Sequence, residues 1–107
     1  MLETDDLRVE LRDGGALWLT FNRPEVFNAF SPELAVALAE RLEAAATDDT
    51  VRVVVLTGQG AVFSAGADIS GQDSVERFDV RALDAANRII RAVTSCPRPV
   101  VAAVNGI

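Results

Sequence analysis

The chain has 107 residues, 50% of them hydrophobic, which is enough for one domain with a modest core. Its formal charge of −6, with arginine as the sole basic residue type, argues against nucleic acid and against anionic membrane surfaces as partners. With no histidine and a single cysteine, Cys96, neither an internal disulfide nor a zinc site is expected.

No apolar run approaches the ~20 residues of a membrane span. The acidic start Met1-Leu2-Glu3-Thr4-Asp5-Asp6 is unlike a secretory leader, so a cytoplasmic protein is expected. Leu7, Val9 and Leu11 alternate with Arg8, Glu10 and Arg12, the period of a half-buried strand. After Asp13-Gly14-Gly15 the alternation resumes at Leu17, Leu19 and Phe21, so a β-hairpin is predicted. Trp18, on the opposite face, reads as a packing residue. Asn22-Arg23-Pro24 breaks the strand, and Glu25-Val26-Phe27-Asn28-Ala29-Phe30 follows as an apolar-tipped loop. Phe30 is assigned to the core; Val26 and Phe27 suit either the core or a ligand.

Ser31-Pro32 is a helix start, with serine as N-cap and proline at the first helical position. Leu34, Leu38, Leu42 and Ala45 recur at helical spacing, so residues 32 to about 46 are predicted to be an amphipathic helix. Val53-Val54-Val55-Leu56 is a continuous apolar run, the pattern of a strand covered on both faces. Further on, Asp73 or Ser74 is a candidate cap for a long second helix. Its apolar stripe is predicted at Val75, Phe78, Ala82, Leu83, Ala86, Ile89, Ile90 and Val93, with Arg77, Arg81, Arg88 and Arg91 on a solvated face or at a subunit contact. Cys96-Pro97-Arg98-Pro99 stops that helix, and Val100 to Val104 forms another short apolar strand. Cys96, with no histidine to activate it, reads as inert.

The stretch that carries chemistry is Thr57 to Ser70, TGQGAVFSAGADIS. Glycines end the strand, and small residues at the tip would let a ligand approach main-chain N–H groups. A dinucleotide fingerprint is not matched, because Phe63 stands where a third glycine belongs, and a phosphate-binding P-loop would need a lysine. A serine-hydrolase elbow fails at Val62, and no histidine exists to complete a triad. From spacing alone, an ordinary strand-to-helix loop competes with an anion or oxyanion site.

Phe63-Ser64-Ala65-Gly66-Ala67-Asp68-Ile69 resembles the signature loop of the enoyl-CoA hydratase/isomerase (crotonase) family. Asn22-Arg23-Pro24 with Asn28-Ala29 upstream, and Pro99-Val100-Val101-Ala102-Ala103-Val104-Asn105-Gly106 downstream, keep the family's order and spacing over nearly the whole chain. The resemblance implies an α/β fold with the crotonase-like ββα spiral core, residues 1–107 being the N-terminal part of one such domain. It implies an acyl-CoA substrate, no separate cofactor because coenzyme A arrives with the substrate, and assembly as trimers or hexamers. Carried over by position, the N–H of Ala67 is an oxyanion donor, and Ala65, Ala67, Asp68, Ile69 and Ser70 follow the bound CoA. Glu25, Val26 and Phe27 fall on the loop that lies along it. Many members carry lysine where this chain has Ser70, and Asp68 is expected to order the loop.

In the family, the second oxyanion donor and the acid–base glutamates lie beyond the stretch matching Asn105-Gly106. A truncated chain, inactive alone, is therefore the expectation. The alternative is a non-catalytic binding or assembly unit that needs a complementing chain.

Overall fold

The computed structural model describes residues 1–67 and 80–107. The alternating segments pair as the hairpin expected. Strands β1 (Leu7–Arg12) and β2 (Ala16–Phe21) run antiparallel, with Leu7 opposite Phe21 and Arg12 opposite Ala16. Strand β3 (Val53–Gly58) lies parallel to β2, and β4 (Val100–Ala102) lies parallel to β3, so the sheet order is β1-β2-β3-β4. Parallel neighbours need a crossover, and helix α1 (Pro32–Ala45) supplies it between β2 and β3.

The core lies between the sheet and α1. Leu17, Leu19 and Phe21 share one face of β2 and meet Leu34, Leu38 and Leu42 of α1 and Val54 of β3 in a buried cluster. Each side chain of this size contributes about 1.5–3 kcal/mol when fully buried. Phe21 also makes edge-on ring contacts with Phe30 and Phe63, at centroid distances of 5.0 and 5.3 Å, which tie the core to the loops at the end of the sheet. Trp18, on the sheet's other face, carries the Arg12 guanidinium 4.0 Å over its ring, consistent with a packing role.

Helix α1 begins as its sequence dictates. Ser31 is extended, and its hydroxyl accepts from Leu34 N–H at 3.1 Å, with Pro32 opening the helix. Replacing Ser31 with alanine is expected to lower stability by about 1 kcal/mol; Ser31→Thr should restore most of it, as read from urea midpoints. Helix α2 (Val80–Ser95) rests on α1. There a bidentate ion pair joins Arg88 to Glu43, with Nε to Oε2 at 2.9 Å and Nη2 to Oε1 at 2.7 Å. The hydrogen bonds from Arg88, aided by its charge, hold the Glu43 carboxyl below the usual glutamate range against a small opposing effect of burial. Its contribution is therefore present above the unfolded glutamate pKa and is lost as pH falls through the lowered value. Both side chains keep 43% exposure, so solvent screening limits the pair to less than about 1 kcal/mol.

Three expectations are corrected. On α2, Ile89 and Val93 turn inward as expected, but they are joined there by Ala85 and Ala92, while Leu83, Ala86 and Ile90 are exposed. The small alanines at 85 and 92 allow close approach to α1, which leaves Leu83 and Ile90 on the far side of the helix. Strand β3 is not equally covered on both faces: Val54 is buried, but Val53 and Val55 are only half-buried. Strand β4 ends at Ala102 and not at Val104. Ala103 N–H still reaches Leu56 C=O at 2.8 Å, after which Asn105 pulls the chain toward the end of β3. The expected cap at Asp73 or Ser74, and the positions Val75, Phe78 and Arg77, lie outside the described residues. Among the described residues no helix is long and apolar enough to cross a membrane.

Candidate active site

At the end of β3 the chain passes through Gly58 into a loop that is held from both sides. Gly58 is the last residue of the strand, and the tight turn comes later, at Gly60, with φ +86°. Gly58 is required for a different reason: a Cβ there would lie 2.4 Å from Val62 O, 2.5 Å from Phe63 O and 2.9 Å from Asn28 Nδ2.

Asn28 is one of the two clamps. It is fully buried and left-handed, with φ +56°, after Phe27, itself left-handed at φ +57°. Its Oδ1 accepts from Arg23 N–H at 2.8 Å, and its Nδ2 donates to Gln59 C=O at 3.1 Å and to Val62 C=O at 2.7 Å. Asparagine tolerates the left-handed region through local hydrogen bonds. The phenylalanine gains no such relief, so the bonds around Asn28 hold Phe27 in place. Asn105 is the second clamp. Its Nδ2 donates to Gly58 C=O at 2.9 Å and Gly60 C=O at 2.8 Å, and its Oδ1 accepts from Gly58 N–H at 3.2 Å. Ile107 C=O then accepts from the N–H groups of Phe63 and Ser64, at 2.7 and 3.2 Å.

Residues 64–67 run beside residues 27–30. Ala65 N–H donates to Phe27 C=O at 2.9 Å, Ser64 Oγ donates to Asn28 C=O at 2.9 Å, and Phe30 N–H donates to Gly66 C=O at 2.7 Å. Ser64 Oγ also accepts from Gly66 N–H at 3.0 Å, which fixes the turn. Gly66 has φ +91° with open space where a Cβ would stand, so backbone conformation alone demands glycine there. In a trans peptide the C=O and the following N–H point in opposite directions. Because Gly66 C=O faces Phe30, the N–H of Ala67 faces away from that segment, and Ala67 itself is exposed.

Two groups of sequence-predicted residues are thus brought together: Phe27, with Glu25 and Val26 on the single 3-10 turn before it, and Ala65 with Ala67 across from it. Phe27 is 63% exposed, Glu25 is exposed and Val26 is half-buried. Asp68, Ile69 and Ser70 lie outside the described residues. Arg23 is committed to the fold, donating to Ala29 C=O and lying 3.8 Å from the Asp6 carboxylate. The clamping roles of Asn28 and Asn105 were not visible in advance. The only signal for them was an asparagine beside a small residue directly after an apolar segment.

A mostly parallel sheet crossed by a helix, with a clamped main-chain loop at the strand ends, defines a crotonase-type fold. Residues 12–107 match the model of the family described as enoyl-CoA hydratase/isomerase, and the chain belongs to that family. It is 38% identical to the 1,2-epoxyphenylacetyl-CoA isomerase of Escherichia coli, over 87% of this chain and 37% of that protein. It is 35% identical to the trans-2-decenoyl-acyl-carrier-protein isomerase of Streptococcus mutans, over 88% of this chain and 38% of that one. The solved structure of an enoyl-CoA hydratase from Mycobacterium avium superimposes with a TM-score of 0.82 at 36% identity, covering 97% of this chain and 40% of that chain. The chain therefore spans about two fifths of the length of these relatives.

Proposed function

We infer that this chain is the oxyanion-donating part of an acyl-CoA enzyme that hydrates a 2,3-enoyl-CoA or shifts its double bond. Ala67 N–H donates to the thioester oxygen. The supporting observation is the orientation of the Gly66–Ala67 peptide, whose C=O is engaged by Phe30 and whose N–H is directed away from it. Negative charge develops on the thioester oxygen as the enolate-like intermediate forms, and a donor fixed before the reaction stabilises it without reorganisation. Ala65, Asp68, Ile69 and Ser70 follow the pantetheine and adenine through main-chain contacts, and Glu25, Val26 and Phe27 flank them from the facing loop. No resident cofactor is required, since coenzyme A enters with the substrate. A cytoplasmic location and assembly as trimers or hexamers accompany this reading.

The test replaces the Ala67 N–H with an ester oxygen, in the polypeptide extended to its relatives' length. A loss of about 10²–10³ in kcat is expected from removing one such donor, with KM little changed. Turnover that survives intact overturns the assignment. Ala67→Pro also removes the N–H but is a harsher probe, because proline restricts the preceding residue and Gly66 sits at φ +91°. Under the alternative reading, the chain is a binding or assembly unit that turns over only with a complementing chain. Hydration by the chain alone at about 1 s⁻¹ or above, the range of ordinary enzymes, would remove that alternative.

A further inference from the structure

Among the described residues, Phe27 is the phenylalanine that the core leaves out. Phe21 makes edge-on ring contacts with Phe30 and Phe63, and both of these pack against the buried cluster. The side chain of Phe27 instead leaves the residue 63% exposed. Its backbone is left-handed at φ +57°, a conformation costly for a bulky residue and not relieved by any polar group on a phenyl ring. Main-chain bonds pin it there. Phe27 N–H donates to Pro24 C=O at 3.2 Å, Phe27 C=O accepts from Ala65 N–H at 2.9 Å, and Asn28 N–H donates to Arg23 C=O at 2.8 Å. Folding alone would favour glycine or asparagine at this φ, and exposure of this degree would favour a polar side chain. The phenylalanine therefore carries two costs, and among the described residues it has no ring partner to offset them. Strain held in place beside a candidate site points to a ligand as its purpose.

We propose that the Phe27 ring is a stacking surface for the adenine of coenzyme A, and that it makes the site prefer a coenzyme A thioester over the same acyl group on a carrier protein's phosphopantetheine arm. This rests on the acyl-CoA reading above and deepens it by selecting between two thioester carriers. The face of a phenyl ring gains most from another flat π-system. Adenine is the aromatic group of coenzyme A, whereas its pantetheine is a chain of amides and single bonds, and its phosphates call for cations or N–H donors. The position of Phe27 agrees. Its C=O is hydrogen-bonded to Ala65 N–H, just before Ala67 on the same loop. A base on the ring and a thioester oxygen at Ala67 N–H thus lie along one short segment, which the flexible pantetheine reaches by folding back. A carrier protein's arm ends before the ribose and base, so it leaves the Phe27 ring uncovered.

Turnover of one enoyl group carried on coenzyme A and on 4′-phosphopantetheine, by the polypeptide extended to its relatives' length, tests this. Phe27→Leu keeps an apolar side chain without a ring, and Phe27→Gly removes the backbone strain as well. Each should lower kcat/KM on the coenzyme A thioester by about tenfold, the loss of one base stack. The change should fall on KM with kcat little altered, and the preference for coenzyme A over phosphopantetheine should drop by the same factor. Phe27→Trp should retain that preference. Phe27→Gly should also keep or raise the urea midpoint, since glycine adopts a positive φ readily, whereas a ring kept for packing would give a fall. A preference unchanged in Phe27→Leu and Phe27→Gly, or a lowered midpoint in Phe27→Gly, overturns the stacking role and leaves the acyl-CoA reading standing. A parent that turns over neither thioester overturns the acyl-CoA reading, and the stack with it.

Discussion

Asn28→Ala is expected to cost about 3–5 kcal/mol, because it leaves three main-chain groups without partners where burial makes each expensive. Those groups are Arg23 N–H, Gln59 C=O and Val62 C=O, and the side chain that serves them is fully buried. Domains of this size have about 5–15 kcal/mol in total, so the variant should be close to unfolding at room temperature. The loss has a second component. Alanine is less tolerant than asparagine of the left-handed conformation found at position 28. Asn28→Asp keeps the acceptor for Arg23 N–H but turns a carboxylate toward two carbonyl oxygens, and it should lie no higher than the alanine variant. Urea denaturation followed by Trp18 fluorescence measures both. A midpoint for Asn28→Ala within experimental error of the parent would mean that water replaces the amide without loss, and the clamp would carry no weight.

Gly58→Ala should be comparably severe for an unrelated reason. The added methyl would lie 2.4 and 2.5 Å from two main-chain oxygens, Val62 O and Phe63 O, neither of which can rotate aside as a side-chain end would. The loop must move bodily, and overpacking of this kind costs about 1–3 kcal/mol or more. Moving it also breaks the bonds that Asn105 makes to Gly58 and Gly60. Because both substitutions disrupt the same loop, Asn28→Ala and Gly58→Ala together should cost less than the sum of the two, as neighbouring sites in one network do. Strict additivity in the double-mutant cycle would show that the two act on separate structures.

The elements were legible because local chemistry and burial agree in them. The alternation from Leu7 to Phe21 is the hairpin, and Ser31-Pro32 starts α1. Reading failed where a partner element decides which side of a segment is covered. The pattern on α2 admits a stripe that includes Leu83, Ala86 and Ile90 beside Ile89, and only packing against α1 turns Ala85 and Ala92 inward in their place. Likewise, the alternation on β1 implies a half-buried strand throughout, yet at the sheet edge Leu11 is 50% exposed. In the candidate site, the resemblance pointed to Ala65 and Ala67, and the glycines announced a loop. The clamps were not legible, since nothing local in Asn28 or Asn105 shows that their amides reach carbonyls more than thirty residues away.

The placement of those clamps also bears on the time course of synthesis. The loop from Gly58 to Ser64 leaves the ribosome before Asn105 and Ile107, the residues that close it. At ~5–20 residues per second, the roughly forty intervening residues take a few seconds to add. During that interval Asn28 can already hold one side of the loop, while the main-chain N–H groups of Phe63 and Ser64 stay open to water or to a chaperone. The nascent chain therefore acquires the packing between α1 and the first three strands before this loop is clamped, and the loop is closed only when Asn105 and Ile107 arrive.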